Sequence, residues 1–136
     1  MHPILRNILA VVAGILVGMA LNEGIIISSA YLVPPPEGAD MLTPDGIKAA
    51  LPLLQPKHFL MPFLAHALGT FVGAYLSSLL AVNNKIRVAL SVGGVFLVGG
   101  LIVAYIIPAP AWFVTADLIL AYLPVAFLAG KINAAG

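Results

Sequence analysis

Residues 58–82 read HFLMPFLAHALGTFVGAYLSSLLAV, a run of 25 residues without a single Asp, Glu, Lys or Arg. About 20 apolar residues in a helix cross the ~30 Å hydrocarbon core of a bilayer. A strand spanning a lipid-embedded barrel alternates apolar and polar residues over about 10 positions, and this run is longer and does not alternate. The stretch is therefore a membrane-spanning helix. At 100° per residue, His58, Ala65, His66, Gly69, Thr70, Gly73 and Ser77 share one broad arc, with Leu60, Leu64, Leu68, Phe71, Tyr75, Leu79 and Val82 opposite. The small and polar arc must face other helices or a hydrated cavity, and the leucine arc faces lipid.

Three further stretches have the same character. One runs from about Leu5 to Val33 and stops at Pro34-Pro35-Pro36, which cannot donate backbone hydrogen bonds or stay helical. Another covers about Ile86 to Ile107, ending at Pro108-Ala109-Pro110, and the last covers about Ala111 to Ile132. Apolar character resumes at Ile25-Ile26-Ile27 and lasts to Val33, too long for a cleaved signal segment, so the first span reads as retained. Over all 136 residues, 62% are hydrophobic and 8% charged, against roughly 25% charged in a soluble domain. Six basic and five acidic side chains cannot coat a water-soluble globule, and a net charge of +1 offers no footprint for nucleic acid. The absence of cysteine excludes disulfides and thiolate chemistry. The expected fold is all-α: a polytopic membrane protein, one domain over residues 1–136, built as a four-transmembrane-helix bundle.

Orientation follows from basic residues near the span ends. Arg6, Lys85, Arg87 and Lys131 fall on one side, with no acidic residue among them. On the other side, Lys48 and Lys57 share a longer loop with Glu37, Asp40 and Asp45. Both termini are therefore expected in the cytoplasm, with residues 34–57 and Pro108–Ala111 outside. Tyr31, Phe59, Phe63, Tyr105, Trp112 and Phe113 fall near the outer ends, as an interfacial belt would. Within the outer loop, Thr43-Pro44-Asp45-Gly46 reads as a helix start. It begins a short helix expected to lie flat on the interface, anchored by Ile47, Leu51, Leu53 and Leu54.

Helices in lipid associate through close packing of small residues. Ala10, Gly14, Gly18 and Asn22 recur at four-residue spacing in the first span, and Ala65, Gly69, Gly73 and Ser77 do so in the second. Gly14, Gly18, Gly69 and Gly73 are the candidate packing positions.

Ionisable groups are costly at membrane depth. Glu23 lies roughly 15 Å below the outer end of its span, His66 roughly 12 Å and Asp117 roughly 9 Å. With Asn22 they form a candidate polar cluster: Glu23, His66, Asp117 and Asn22. Three readings fit it. One is a site open to the outside that relays protons or holds a cation; another is a clamp in which His66 pairs with Glu23, while Asp117 sits near its helix N-terminus; in the third, Asp117 simply reaches the outer water. Pro124 should kink the fourth helix by removing a bond to the carbonyl of Leu120. No phosphate loop, zinc-binding His pair or nucleophile elbow occurs, and no catalytic residue, metal site or cofactor is expected.

The segments Lys57-His58-Phe59, Ala65-His66-Ala67-Leu68-Gly69-Thr70 and Pro108-Ala109-Pro110-Ala111-Trp112-Phe113, with a Pro-Glu-Gly at Pro36-Glu37-Gly38, carry a likeness. Across most of its length the chain resembles a group of small, uncharacterised bacterial four-span inner-membrane proteins. The resemblance implies a bacterial inner-membrane setting and no particular activity. The first expectation is a non-enzymatic multi-pass protein, an oligomeric or accessory subunit packing through its small-residue faces. Its partners are then the lipid bilayer and a second copy or a larger membrane complex. A small ion, proton or solute transporter using the polar cluster is the alternative, and a quinone-interacting redox protein is a third.

Overall fold

The computed structural model describes all of residues 1–136. Helix α1 spans Pro3–Leu32, α2 Pro44–Ala50, α3 Leu60–Leu80, α4 Lys85–Ile106, α5 Ala111–Leu120 and α6 Leu123–Ala134. Short 3₁₀ turns at Leu51–Leu53 and Pro56–Phe59 link α2 to α3. Four segments are long and apolar enough to cross a membrane: Pro3–Leu32, Pro56–Leu80, Lys85–Ile106 and Ala111–Ala134. The chain is an all-α, multi-pass bundle. Its loop end carries residues 33–59, and its terminal end carries both termini.

The fourth span is two helices and not one. Pro124 has no N–H for the carbonyl of Leu120, and the backbone departs from helical geometry at Tyr122 (φ −116°, ψ −83°), which caps α6. Ladder bonds resume at once, from the Ala126 N–H to the Tyr122 carbonyl. The break aims the Tyr122 ring back along α5.

Helix α3 is the centre of the bundle, packed against α1, α4 and α6. Its buried residues are Ala65, Gly69, Thr70, Gly73, Ala74, Ser77 and Ser78, while Leu60, Leu68, Tyr75, Leu79 and Val82 are exposed. The core cluster of Ala74, Ala89, Val92, Ala126 and Ala129 is almost all alanine. Hydrophobic drive is weak in lipid, and such residues gain dispersion energy by letting backbones come close. Nowhere is this closer than between α1 and α3. A Cβ placed on Gly18 would lie 2.6 Å from the Gly69 carbonyl oxygen, and one on Gly69 would lie 2.8 Å from that of Gly18. Gly14 and Gly73 oppose each other in the same way one turn further down. The paired glycines are thus consumed inside this chain. Gly94 and Gly99 on α4 have nothing near them.

Polar ties close the terminal end. Asn7 donates to Asn83 Oδ1 (2.9 Å) and accepts from the Val82 N–H (3.0 Å). The turn between α3 and α4 needs a left-handed residue, and Asn84 supplies it (φ 51°). Asn133 of α6 donates to the Tyr75 carbonyl and to Ser78 Oγ. Arg6, Lys85, Arg87 and Lys131 all lie at this end.

At the loop end, Thr43 caps α2 by accepting from the Gly46 N–H (3.0 Å). Asp40 in turn accepts from the Thr43 hydroxyl (2.6 Å) and the Leu42 N–H (2.9 Å). These bonds, the Thr43 hydroxyl first, hold the Asp40 carboxyl below the usual carboxylate range. A lowered carboxylate contributes order that is complete above its ordinary value of 3.8 and lost as pH falls through the lower folded value. Protection of the Leu42 and Gly46 amides from hydrogen exchange is expected to hold down to about pH 4 and to fail below it. Loss already between pH 7 and 5 would contradict this assignment.

The short helix expected in this loop forms over Pro44–Ala50. Ile47, Leu51 and Leu54 line a cavity beneath the loop, and of the four expected anchors Leu53 alone is largely exposed. Phe59 corrects one expectation: it is buried against Phe113 (centroids 4.9 Å) and Trp112 (5.6 Å) and does not stand in an exposed belt.

Candidate functional site

A cavity of about 560 Å³ lies at the loop end, under residues 41–54 and between the upper turns of α1, α3, α4 and α5. Such a volume is within the range of small-molecule sites, roughly 300–1,000 Å³. Of its 27 lining residues 19 are hydrophobic, so the walls favour an apolar occupant. Helices α1 and α4 touch lower in the bundle through Gly18 and Phe96, yet Ile26, Ile27 and Ala30 of α1 and Val103 and Ala104 of α4 face the same space above. Glu23 and Ile27, one turn apart, both line the cavity and are both exposed. The mouth therefore opens on the side of the bundle, about 8–14 Å below the end of α1.

The floor is polar. His66 Nδ1 lies 2.7 Å from Asp117 Oδ1, and the Tyr122 hydroxyl donates to Asp117 Oδ2 at 2.9 Å. Asp117 is only 5% exposed. The Tyr122 and His66 rings are stacked with centroids 5.8 Å apart. Gly100 of α4 leaves the space that Tyr122 occupies, since a Cβ there would lie 2.6 Å from the tyrosine oxygen. Each acceptor oxygen of Asp117 thus has a protein donor. With its Nδ1–H donated to the carboxylate, His66 holds one tautomer, and its Nε2 makes no hydrogen bond within the protein. The imidazole side chain is 22% exposed, so Nε2 is the polar atom that the floor leaves for an occupant of the cavity.

Of the four cluster residues, the structure brings two together. His66 pairs with Asp117 and not with Glu23, because Glu23 lies at the mouth and makes no hydrogen bond. Asn22 points elsewhere, into the α1–α3 seam beside Gly69. Its Oδ1 is buried without a partner, as is Thr70 Oγ1, one turn along α3 from His66. A buried unpaired hydroxyl costs about 1–3 kcal/mol, and Thr70 makes no bond that valine would lose. Thr70→Val is expected to be neutral or to stabilise by up to about 1 kcal/mol in a reversible unfolding titration in mixed micelles. A loss of 1 kcal/mol or more would show that the hydroxyl has a partner after all.

Tyr122 is the member that sequence reasoning missed. Residues five apart stand about 140° apart on an unbroken helix, so Asp117 and Tyr122 would not meet. The available signal is Pro124, two residues beyond Tyr122, because the break it brings at Tyr122 is what lets them meet.

The base of the loop is also tied. The Gln55 N–H donates to His58 Nδ1 (2.8 Å), which places the ring proton on Nε2, 3.2 Å from the Pro34 carbonyl oxygen. One imidazole thereby clasps the two ends of the segment that roofs the cavity.

No group of three or more His, Cys, Asp or Glu side chains is placed to hold a metal ion. No family model, curated protein or solved structure matches the chain.

Proposed function

We propose that this chain is a non-enzymatic, multi-pass protein of a bacterial inner membrane that takes an amphipathic small molecule from the bilayer into its loop-end cavity. The carrying observation is the pairing of apolar walls with one polar floor, His66–Asp117, held from behind by Tyr122 and reached through a side mouth. Apolar walls favour the body of such a molecule, and one or two convergent polar groups orient its head. Both termini lie in the cytoplasm on this reading, because Arg6, Lys85, Arg87 and Lys131 gather at the terminal end. The cavity then belongs to the outer leaflet. The bilayer is its first partner, as solvent and as source of the ligand. The glycine faces offer less support for an accessory subunit that docks through them, since α1 and α3 use Gly14, Gly18, Gly69 and Gly73 on each other.

Native mass spectrometry of the full chain released from mild detergent tests the proposal. Ala104 lines the cavity, and a tryptophan there would project into it and obstruct an occupant. The parent is expected to carry a non-covalent adduct that Ala104→Trp lacks. A parent spectrum indistinguishable from that of Ala104→Trp would overturn the reading.

A further inference from the structure

The cavity's charge is one-sided. Its lining holds two carboxyl side chains, Glu23 and Asp117, two imidazoles, His58 and His66, and no lysine or arginine. With both carboxyls ionised the lining sums formally to −2, and protonating both rings raises it only to zero. The His58 ring is already committed at both nitrogens, accepting from Gln55 and donating to Pro34. The nearest loop cations lie off the lining, with Lys48 3.8 Å from Asp45 and Lys57 exposed.

The groups left free make the same point. The Glu23 carboxyl at the mouth has no hydrogen-bond partner, and His66 Nε2 on the floor has none while Nδ1 donates to Asp117. In that tautomer both are acceptors. Low-dielectric walls strengthen the field of such groups inside a cleft. Tyr31, Phe59 and Phe113 are also in the wall, and aromatic faces attract cations. An anionic head would meet no positive side chain here.

Resting on the reading just given, the geometry points to a lipophilic organic cation as the ligand: an amine or onium group carried on an apolar body, with the charge held between Glu23 and the His66–Asp117 pair. Entry through the side mouth passes Glu23 first. The walls take the apolar body while the carboxylate takes the charge.

Tetraphenylphosphonium and tetraphenylborate share shape and apolarity and differ in the sign of their charge, so they separate the two claims. Equilibrium binding of each is measured to the full chain in lipid nanodiscs, with uptake by empty nanodiscs subtracted. Tetraphenylphosphonium is expected to bind at least tenfold more tightly than tetraphenylborate, and Glu23→Gln to weaken it at least tenfold. Glu23 makes no hydrogen bond in the protein, so this variant should fold, and an unchanged thermal transition checks that it does. Equal binding of the two ions, tighter binding of the borate, or a Glu23→Gln affinity within threefold of the parent would overturn the charge selectivity while leaving a cavity that accepts apolar bodies. Binding of neither ion above empty nanodiscs would overturn both readings.

Discussion

Asp117→Ala is expected to lower the unfolding free energy by about 2–4 kcal/mol, the largest effect of any single polar side chain in the bundle. The carboxylate receives a donor on each oxygen, from His66 and from Tyr122. Removing it leaves two unpaired groups where water is scarce, at about 1–3 kcal/mol each. Hydrogen bonds between membrane helices average nearer 0.6 kcal/mol because the unfolded chain also finds partners in lipid, which keeps the expectation at a few kcal/mol. Asp117 ties α3 to the break between α5 and α6, so its loss should also free the Tyr122 ring. The check is reversible unfolding of the parent, Asp117→Ala, Tyr122→Phe and the double variant in mixed micelles. The two single effects should not add, because in the double variant the lost carboxylate–hydroxyl bond is counted once. Additive effects would show that Tyr122 and Asp117 are not coupled.

A larger loss is expected from Gly73→Leu. Its Cβ would press on the carbonyl oxygen of Gly14 and lie 3.3 Å from the Gly18 Cα. Both are backbone atoms and cannot rotate away, so α1 must separate from α3 along their whole seam. Overpacking that the backbone cannot relieve costs about 3 kcal/mol or more, and the variant should lose most of its folded population. Gly99→Leu is the matched control: nothing lies near a Cβ at that position, and it should unfold with the parent. Equal behaviour of the two variants would mean that the helices do not meet as described.

These two expectations also show where the sequence was legible. The spans and their ends follow from long apolar runs closed by Pro34-Pro35-Pro36, Asn83-Asn84 and Pro108-Ala109-Pro110, because lipid imposes one simple requirement on the backbone. The α1–α3 glycine ridges are visible for the same reason, as a repeat of four. The partner of each ridge is not visible, since spacing alone does not say whether a small face meets its own chain or another.

The site was legible only in part. His66 and Asp117 stood out as ionisable residues at similar depth, yet depth carries no information on azimuth. Glu23 shares their height and lies across the cavity at its mouth. Asn22, one residue away, is turned by 100° into a different seam. Tyr122 is not legible because Pro124 signals a bend in the fourth helix without saying which side chain the bend turns toward Asp117. In the loop, Ile47, Leu51 and Leu54 are apolar for either destination: a membrane interface and the roof of a cavity ask for the same residues. Composition therefore does not show that these residues also line a cavity, nor that His58 ties the two ends of the loop through Gln55 and Pro34.

Photolabelling in bilayers tests most directly whether the cavity takes its occupant from the membrane. A long-chain alkylamine bearing a diazirine on its tail is added to nanodiscs containing the full chain, irradiated, and the adducts are mapped by peptide mass spectrometry. Met61, Val114 and Leu118 line the cavity, while Leu16, Leu68 and Ile102 face outward. The expected result is labelling of Met61, Val114 or Leu118 that an excess of unlabelled amine removes, over a lipid-facing background that it does not. Adducts confined to Leu16, Leu68, Ile102 and their exposed neighbours, unaffected by the competitor, would contradict it.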